Sequence, residues 1–208
     1  MSSPIFQDLG ADLDFQEIWD LQEDLVQRRR DQKIEDIILL LEHAPVYTIG
    51  RTRDKTSLRA HKHLPHPVVE INRGGQGTFH GPGQLVGYAI LDLTQRIKDL
   101  HIHLRNLEEA IIISLGILGI TAIRRKGQTG VWVEDRKIAS LGVGVRSWVT
   151  LHGFALNVQK LSLAPFQMIT PCGIDGVSMT SVESEINQTV SMKEIKIIMT
   201  ESLQKVFC

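Results

Sequence analysis

The chain has 208 residues, of which 42% are hydrophobic, and its formal net charge is -1 at pH 7. This length and apolar content suffice for one sizeable core, so we expect a single domain over residues 1–208. A charge near zero and an aromatic content of 5% give no basic surface of the kind that binds nucleic acid. Nucleic-acid binding is therefore excluded from the expected functions.

The N-terminal residues and the cysteines bear on the compartment. Residues 1–10 lack the charged and apolar regions of a secretory signal, and no apolar run reaches membrane-spanning length. The two cysteines, Cys172 and Cys208, do not form the disulfide framework of a secreted protein. We therefore expect a cytoplasmic protein with no membrane partner, in which Cys172 stays reduced.

The first predicted element is a helix that begins at a capping box, Asp14-Phe15-Gln16-Glu17. Ile18, Leu21 and Leu25 then recur on one face, and the charged residues 28–31 close the helix. Short apolar runs rich in β-branched residues predict the strands that follow. These strands cover residues 37–41, 46–49, 68–71 and 85–93.

Residues 51–67 are polar and aperiodic, which predicts a long surface loop of the kind that covers a site. His61, His63 and His66 lie in this loop, but prolines interrupt them and no metal-binding motif accompanies them. We expect no metal site there.

Helical spacing returns between Leu104 and Leu118, with Gly119 as the C-terminal cap. Three β-rich runs, at 131–133, 138–145 and 148–158, predict an antiparallel meander. A second capping box at residues 191–194 opens a closing helix. Strands and helices without regular alternation predict an α+β fold with mixed or antiparallel sheets and flanking helices.

Residues 73–84 hold five glycines in twelve positions, a density that permits close approach of the backbone to a ligand. An elaborate hairpin between two strands is the alternative interpretation. Arg73, Thr78 and His80 in the same segment favour a ligand site. Neither a Walker motif nor a G-x-G-x-x-G sequence is present, so phosphate binding is not directly indicated.

Three further positions are candidates for chemistry. Lys137 begins a predicted strand, where a lysine is ordinarily solvated, but the small residues that follow it leave room for an apolar chain. His152 and Asn157 flank an apolar strand and either face one cleft or serve as a core histidine and a turn cap.

Cys172 lies between Pro171 and Gly173, which predicts a thiol presented on a shaped loop rather than a buried apolar side chain. The C-terminal Cys208 is expected to be inert. Because a nearby ammonium stabilises a thiolate, a cysteine and a lysine in one cleft indicate acyl transfer.

Four segments, 73–84, 137–142, 152–157 and 171–174, closely resemble in sequence and order the octanoyltransferase family of lipoate biosynthesis, the lipoyl(octanoyl) transferases. The resemblance extends over about residues 39–181 and implies a fold like that of the catalytic domains of lipoate and biotin ligases. It also implies transfer of an octanoyl group from octanoyl-acyl carrier protein to a specific lysine. The acceptors would be lipoyl domains of 2-oxoacid dehydrogenase E2 subunits and the glycine cleavage carrier protein, with no cofactor.

The resemblance implies a role for each matched residue. Cys172 attacks the octanoyl thioester, and Lys137 generates the thiolate and then takes the proton from the acceptor lysine. His152 and Asn157 are possible supporting residues. Gly77 stands where many relatives would carry a β-branched residue, which implies a wider pocket wall and leaves chain-length preference open. The implied acyl pocket consists of Arg73, Gly74, Gly75, Gln76, Gly77, Thr78, Phe79, His80, Ser140, Leu141, Gly142, Gly153, Phe154 and Ala155.

Two other functions are weighed against this one. An ATP-dependent lipoate or biotin ligase of the same fold needs no nucleophilic cysteine, so Cys172 argues against it. A non-catalytic acyl-binding or lipoyl-domain-binding module is the second alternative. Basic residues at 51–55 or 124–126 are candidate docking surfaces for carrier proteins, or ordinary solvated charge.

Overall fold

A computed structural model describes residues 3–50, 55–58, 64–71, 76–170 and 176–208. Its helices are α1 (Phe15–Arg30), α2 (Leu100–Ile117), α3 (Val182–Ile186) and α4 (Met192–Phe207). Its strands are β1 (Ile5–Leu13), β2 (Ile37–His43), β3 (Val46–Ile49), β4 (Val68–Glu70), β5 (Thr78–His80), β6 (Gln84–Ile90), β7 (Ile123–Arg125), β8 (Gln128–Val133), β9 (Arg136–Arg146), β10 (Val149–Asn157) and β11 (Ser178–Met179).

The larger sheet of the described chain has eight strands. Seven follow the order β1-β2-β6-β10-β9-β8-β7, and β11 pairs with β9. The pairs β1–β2 and β11–β9 are parallel, whereas the others are antiparallel. The sheet is therefore mixed. The predicted antiparallel meander is confirmed and consists of the neighbouring strands β8, β9 and β10.

Helices cover both faces of this sheet because the central strands alternate apolar side chains between two cores. Ile38 and Leu40 of β2 pack in the core that includes α2 and α4, whereas Leu39 and Leu41 pack in the core that includes α1. This layering confirms the predicted α+β fold. A three-stranded sheet of order β4-β3-β5 carries a further small core around Tyr47 and Phe79.

A buried charge cluster ties α1 to the sheet. Asp36, just before β2, accepts from Arg29 Nε of α1 at 2.7 Å and from Arg96 Nε at 2.7 Å. Asp36 Oδ1 also accepts from the backbone N–H of Asp92 at 2.9 Å. Because every carboxylate oxygen is engaged by a donor, the charge is compensated where water is excluded.

Several sequence predictions need correction. Asp14 caps α1 as predicted by accepting from Gln16 N and Glu17 N, but Ser191 makes no side-chain bond at the start of α4. Strand β1 was not predicted, because its side chains are mostly exposed and give no apolar alternation. Within the predicted loop at 51–67, residues Lys55–Leu58 form a 3-10 helix in which Ser57 and Leu58 are buried.

We expect acid sensitivity from His103, which is buried in α2. Neither ring nitrogen has a hydrogen-bond partner among the described residues. Burial, with a smaller contribution from the Arg96 charge, lowers the pKa of His103 from 6.5 to about 4. The unfolded chain therefore binds one more proton between these values, so stability falls as pH drops from 6.5 towards 4. The loss amounts to about 3 kcal/mol.

Unfolding of the variant His103→Leu should take up about one proton fewer than unfolding of the wild type. The free energy of unfolding, measured by urea titration at several pH values in this range, should therefore depend less steeply on pH. The exposed His101, two residues earlier on α2, provides the control variant His101→Leu. If the free energy of unfolding depends equally steeply on pH in wild type and His103→Leu, His103 is not the source of the acid sensitivity.

Candidate active site

A cavity of about 440 Å³ lies where β9 and β10 of the larger sheet approach β5 of the smaller one. Its size is within the usual range for a small-molecule pocket. It is lined by Phe15, Ile71, Thr78, His80, Tyr88, Gly127, Gln128, Thr129, Lys137, Ser140, Leu141, Gly142, His152, Gly153, Phe154 and Ala155.

Lys137 lines this cavity although its residue is only 1% exposed. Its Nζ donates to the carbonyl oxygen of Thr129 at 3.0 Å and lies 5.4 Å from the centroid of the Trp132 ring. A register shift between β8 and β9, where Val131 pairs with Ala139 and Trp132 with Lys137, places one extra residue on β9 at this point. Lys137 is therefore buried at the cavity, whereas a lysine at the start of a strand is ordinarily solvated.

Gly130 makes room for the Lys137 amine. A Cβ at this position would lie 2.5 Å from Lys137 Cε and 3.1 Å from Lys137 Nζ, and φ is +138°. The Gly130 N–H donates to Oε1 of the buried Glu108 at 3.0 Å, which holds β8 against α2. Only glycine is compatible with both this conformation and this contact.

His152 and Phe154 of β10 form part of the cavity wall. His152 adopts a φ of +62°, which is uncommon outside glycine, and its backbone N–H donates to Oε1 of Gln22 on α1 at 2.9 Å. Phe154 pairs with Gly87 of β6, where a Cβ would lie 2.3 Å from the phenyl ring. The ring therefore lies directly on the β6 backbone.

Two histidines and a tyrosine form a polar group beside Phe15. His43 Nδ1 donates to the carbonyl oxygen of Leu13 at 3.1 Å, so His43 Nε2 accepts from the Tyr88 hydroxyl at 2.7 Å. Burial lowers the pKa of His43 to about 4 despite the bond to Leu13, which keeps the ring neutral. Phe15 stacks on His80 with a centroid separation of 6.1 Å.

The structure brings most of the described candidate residues together. Lys137, His152, Thr78, His80, residues 140–142 and residues 153–155 line the same cavity. Asn157 does not line it, and its side-chain amide instead bonds Gln84 and the carbonyl oxygen of Thr180. Arg73, Gly74, Gly75 and Cys172 lie outside the described residues.

Three other glycine-segment residues, Gln76, Gly77 and Phe79, are absent from the cavity lining. Phe79 packs between Tyr47 and Phe166. A Cβ on Gly77 would lie 2.8 Å from Ser57 Oγ and 2.9 Å from Leu58 Cδ2, and the Gly77 N–H donates to Ser57 Oγ at 3.0 Å. Gly77 thus packs closely against the 3-10 helix.

Sequence reasoning missed other parts of the lining. Phe15 was interpreted only as part of a helix cap, and Tyr88 only as a strand residue, because neither carries a local signal for a pocket. No role was predicted for Thr129, which supplies the carbonyl that holds Lys137. The glycine at 130, next to a predicted strand, was the available signal.

Comparison with known proteins places this site in a family. Residues 14–204 match the family described as the lipoyl protein ligase A/B catalytic domain. The chain belongs to this family. The lipoyl protein ligase A/B match covers the smaller sheet, the cavity and all of the larger sheet except β1.

The similar curated proteins are octanoyltransferases. The enzyme of Geobacter sulfurreducens is 49% identical over 192 residues, which cover 91% of this chain and 78% of the relative. That of Cytophaga hutchinsonii is 42% identical over 228 residues, which cover 99% of this chain and 93% of the relative.

Two ligases are among the solved structures of the same fold. A bi-partite lipoate protein ligase from Thermoplasma acidophilum superposes with a TM-score of 0.71 at 17% identity and covers 99% of this chain and 84% of its own. A biotin protein ligase from Aquifex aeolicus superposes with a TM-score of 0.53 at 12% identity and covers 99% of this chain and 68% of its own. The fold implied by the sequence resemblance is confirmed.

The described residues contain neither a metal-binding cluster nor a membrane-spanning helix. No cluster of three or more histidine, cysteine or acidic side chains within them is arranged to hold a metal ion. No helix in the described ranges has the length and apolar character needed to span a membrane.

The variant Gly130→Ala should displace the Lys137 amine from Thr129, because its methyl group would occupy the position of Lys137 Cε. Pulse labelling with a water-soluble anhydride, measured by peptide mass spectrometry, should then detect faster modification of Lys137. Gly119→Ala is the matched control, since Gly119 also has a positive φ of +77° but nothing within 4 Å of a Cβ. Unchanged Lys137 labelling in a folded Gly130→Ala protein would refute this account of the glycine.

Proposed function

We propose that this protein is an octanoyltransferase that moves an octanoyl group from octanoyl-acyl carrier protein to a lysine of a lipoyl domain. The transfer passes through a thioester on Cys172. The observation that carries the proposal is a buried lysine amine facing an apolar cavity in a chain 42% to 49% identical to octanoyltransferases.

The segments on either side of Cys172 support its assignment as the nucleophile. The Thr170 N–H donates to the carbonyl oxygen of Ser57 at 2.7 Å, and Ser57 Oγ in turn accepts from Gly77, next to the cavity residue Thr78. On the other side, Met179 pairs with Lys137, and the Thr180 N–H donates to the Lys137 carbonyl at 3.0 Å. Both ends of the Cys172 segment are thus tied to strands that carry cavity residues.

In the first step, the Cys172 thiolate attacks the carbonyl carbon of the donor thioester. The new C–S bond forms as the bond to the carrier thiol breaks, so one thioester replaces another with little change in free energy. The departing carrier thiolate takes the proton of Lys137, which returns to its neutral amine. The Lys137 ammonium stabilises the attacking thiolate, because a positive charge is strongly felt where water is excluded.

In the second step, the amine of the acceptor lysine attacks the octanoyl-enzyme. A C–N bond forms, the C–S bond breaks, and Cys172 leaves as a thiolate beside the Lys137 ammonium. The product is an amide, which is more stable than a thioester, so this step runs downhill. The proton of the acceptor amine passes to the neutral Lys137 amine, which becomes the ammonium beside the departing thiolate.

The cavity suits an eight-carbon chain. Gly142, Gly153 and Ala155 leave space between the walls formed by Leu141 and Phe154. Burying about six methylenes at about 0.8 kcal/mol each contributes about 5 kcal/mol, enough to hold the acyl group while carriers exchange.

We propose lipoyl domains of 2-oxoacid dehydrogenase E2 subunits and the glycine cleavage carrier protein as acceptors, and the cytoplasm as the compartment. No cofactor enters the proposed reaction. Of the basic segment 124–126, Arg124 is engaged by Glu108 and Glu109, and Arg125 stacks on Trp132. This compensation weakens the case for that segment as an acidic-carrier docking surface.

Intact-protein mass spectrometry after incubation with octanoyl-acyl carrier protein tests the mechanism. Wild type should gain one octanoyl group and pass it to an apo lipoyl domain, whereas Cys172→Ser should gain none. Lys137→Ala should acylate roughly 100-fold more slowly, because the thiolate loses its counter-charge. Cys208→Ser and Lys33→Ala replace an exposed thiol and an exposed lysine and should behave as wild type.

The alternatives give different results in the same assay. If the lipoyl domain is modified only when free octanoate and ATP are supplied, the protein is a ligase and not a transferase. Absence of modification under both conditions would leave a binding module.

A further inference from the structure

Glu108 is a charged residue among the buried side chains of α2, and it is only 1% exposed. A carboxylate removed from water is costly unless hydrogen-bond donors surround it. Glu108 Oε2 accepts from Arg105 Nη1 at 2.5 Å and from Arg124 Nε at 3.2 Å. Glu108 Oε1 accepts from the Gly130 N–H at 3.0 Å. Three donors therefore compensate the buried carboxylate charge.

One peptide group connects Glu108 to Lys137. The Thr129 carbonyl oxygen accepts from Lys137 Nζ at 3.0 Å. The N–H of the same peptide belongs to Gly130 and donates to Glu108 Oε1. Because the C=O and N–H of a trans peptide point in opposite directions, this peptide lies between the amine and the carboxylate. We call Lys137, the Thr129–Gly130 peptide and Glu108 the peptide bridge.

The local fold sets this peptide apart from the regular strand pairing. The register pairs of β8 with β9 run from Val131 to Val133, so the Thr129–Gly130 peptide lies outside that run. Gly130 has a φ of +138°, a conformation that side chains rarely permit. The carbonyl is thus turned to the lysine side chain, and the N–H is turned to α2.

The orientation of the peptide bridge favours positive charge on the Lys137 amine. A peptide group carries a dipole whose negative end is the oxygen and whose positive end is the N–H. A carboxylate on the N–H polarises the group further, because hydrogen bonds in a chain strengthen one another where the dielectric constant is low. The Thr129 oxygen therefore presents more negative charge to Lys137 than an isolated carbonyl would.

Other charged and titratable groups near Lys137 act in both directions. Arg125 lies 4.6 Å from the centroid of the Trp132 ring, which Lys137 also approaches, so it disfavours a second positive charge there. The two arginines on Glu108 offset part of its charge. Further such groups in the described chain are His80, Tyr88 and His152 in the cavity lining, Glu109 of α2, Arg136 of β9 and Glu185 of α3. The Glu108 carboxylate opposes the repulsion from Arg125.

We propose, resting on the proposed function, that Glu108 is a positioning residue that acts through the peptide bridge to hold the Lys137 amine and to favour its charged form. In the first step this ammonium stabilises the Cys172 thiolate, so the bridge assists formation of the octanoyl-enzyme. In the second step the neutral amine takes the proton of the acceptor lysine and becomes the ammonium that the bridge favours. Since the neutral amine still carries hydrogens, it keeps its bond to Thr129 in both states.

Labelling of Lys137 across a range of pH tests the peptide bridge without substrate. Trace acetic anhydride reacts with the neutral amine, and peptide mass spectrometry of the labelled full chain gives the pH at which labelling of Lys137 is half-maximal. Glu108→Gln keeps an oxygen for the Gly130 N–H but removes the charge, so this midpoint should fall by about 0.5 to 1 pH unit.

Glu109→Gln is the matched control, because Glu109 is the neighbouring carboxylate that also pairs with Arg124 but is not part of the peptide bridge. It should move the Lys137 midpoint by less than about 0.2 pH unit. If Glu108 merely packs α2 against β8, Glu108→Gln leaves the midpoint where it is. That result, or equal shifts in the two variants, overturns the proposal.

Arg105→Gln gives a shift of opposite sign and decides the matter should Glu108→Gln fail to fold. The Arg105 side chain is 51% exposed, and its loss leaves the Glu108 charge less compensated. The Lys137 midpoint should then rise by about 0.3 to 0.5 pH unit. A midpoint that stays in place or falls contradicts the peptide bridge.

The rate of octanoyl-enzyme formation tests the consequence for transfer. Near neutral pH, Glu108→Gln should acylate Cys172 about 3-fold to 10-fold more slowly, which is the rate equivalent of the expected midpoint shift. Glu109→Gln should stay within about 2-fold of wild type. Equal acylation rates in wild type and Glu108→Gln refute the role of Glu108 in transfer.

These outcomes are separable from failure of the proposed function. If wild type forms no octanoyl-enzyme, the transferase mechanism itself fails, whereas the labelling midpoints still decide whether Glu108 acts on Lys137. If wild type forms and transfers the acyl group while the midpoints of wild type and Glu108→Gln coincide, only the role of Glu108 is lost.

Discussion

The contact between Phe154 and the backbone of Gly87 fixes the floor of the cavity, and the rest of the site depends on it. The two residues face each other across β6 and β10, and a Cβ on Gly87 would lie 2.3 Å from the phenyl ring. On the same pair of strands, a Cβ on Gly153 would lie 2.2 Å from the Gly87 carbonyl oxygen. The glycines at 87 and 153 thus allow the two strands and the phenyl ring to come this close.

Charge inside this apolar space is handled by short-range contacts. Lys137 is buried, yet its Nζ has the Thr129 carbonyl at 3.0 Å and the Trp132 ring beside it. Both interactions favour a positively charged amine, because a carbonyl oxygen and an aromatic face carry partial negative charge.

The sequence was informative where structure is locally encoded. The Asp14 cap, the strand runs and the helical repeats predicted α1, β2, β3, α2 and the meander, because caps and apolar periodicity act over a few residues. Strand β1 escaped prediction because Ile5 is 54% exposed and the strand takes its place by parallel pairing with β2. The Ser191 pattern matched a capping box whose bond does not form.

The cavity was predictable only in part for a related reason. Residues 140–142 and 153–155 were expected in the pocket from the family resemblance, whereas Phe15 and Tyr88 enter from distant elements and have no local signal. The side chain of Asn157 turns away from the cavity to a backbone carbonyl at Thr180, which no pattern of side chains indicates.

The pairing of β6 with β10 also bears on how the chain reaches its folded state. Gly87 and Phe154 are far apart in sequence, with α2 and the strands of the meander between them. Closing so long a loop is costly in entropy and slow relative to forming local hairpins, so the pairs β8–β9 and β9–β10 should assemble first. The cavity would then appear only when β6 docks on β10, and until that moment β10 exposes an unpaired apolar edge. Newly made chains would pass through this open-edged stage, in which association between molecules competes with completion of the sheet.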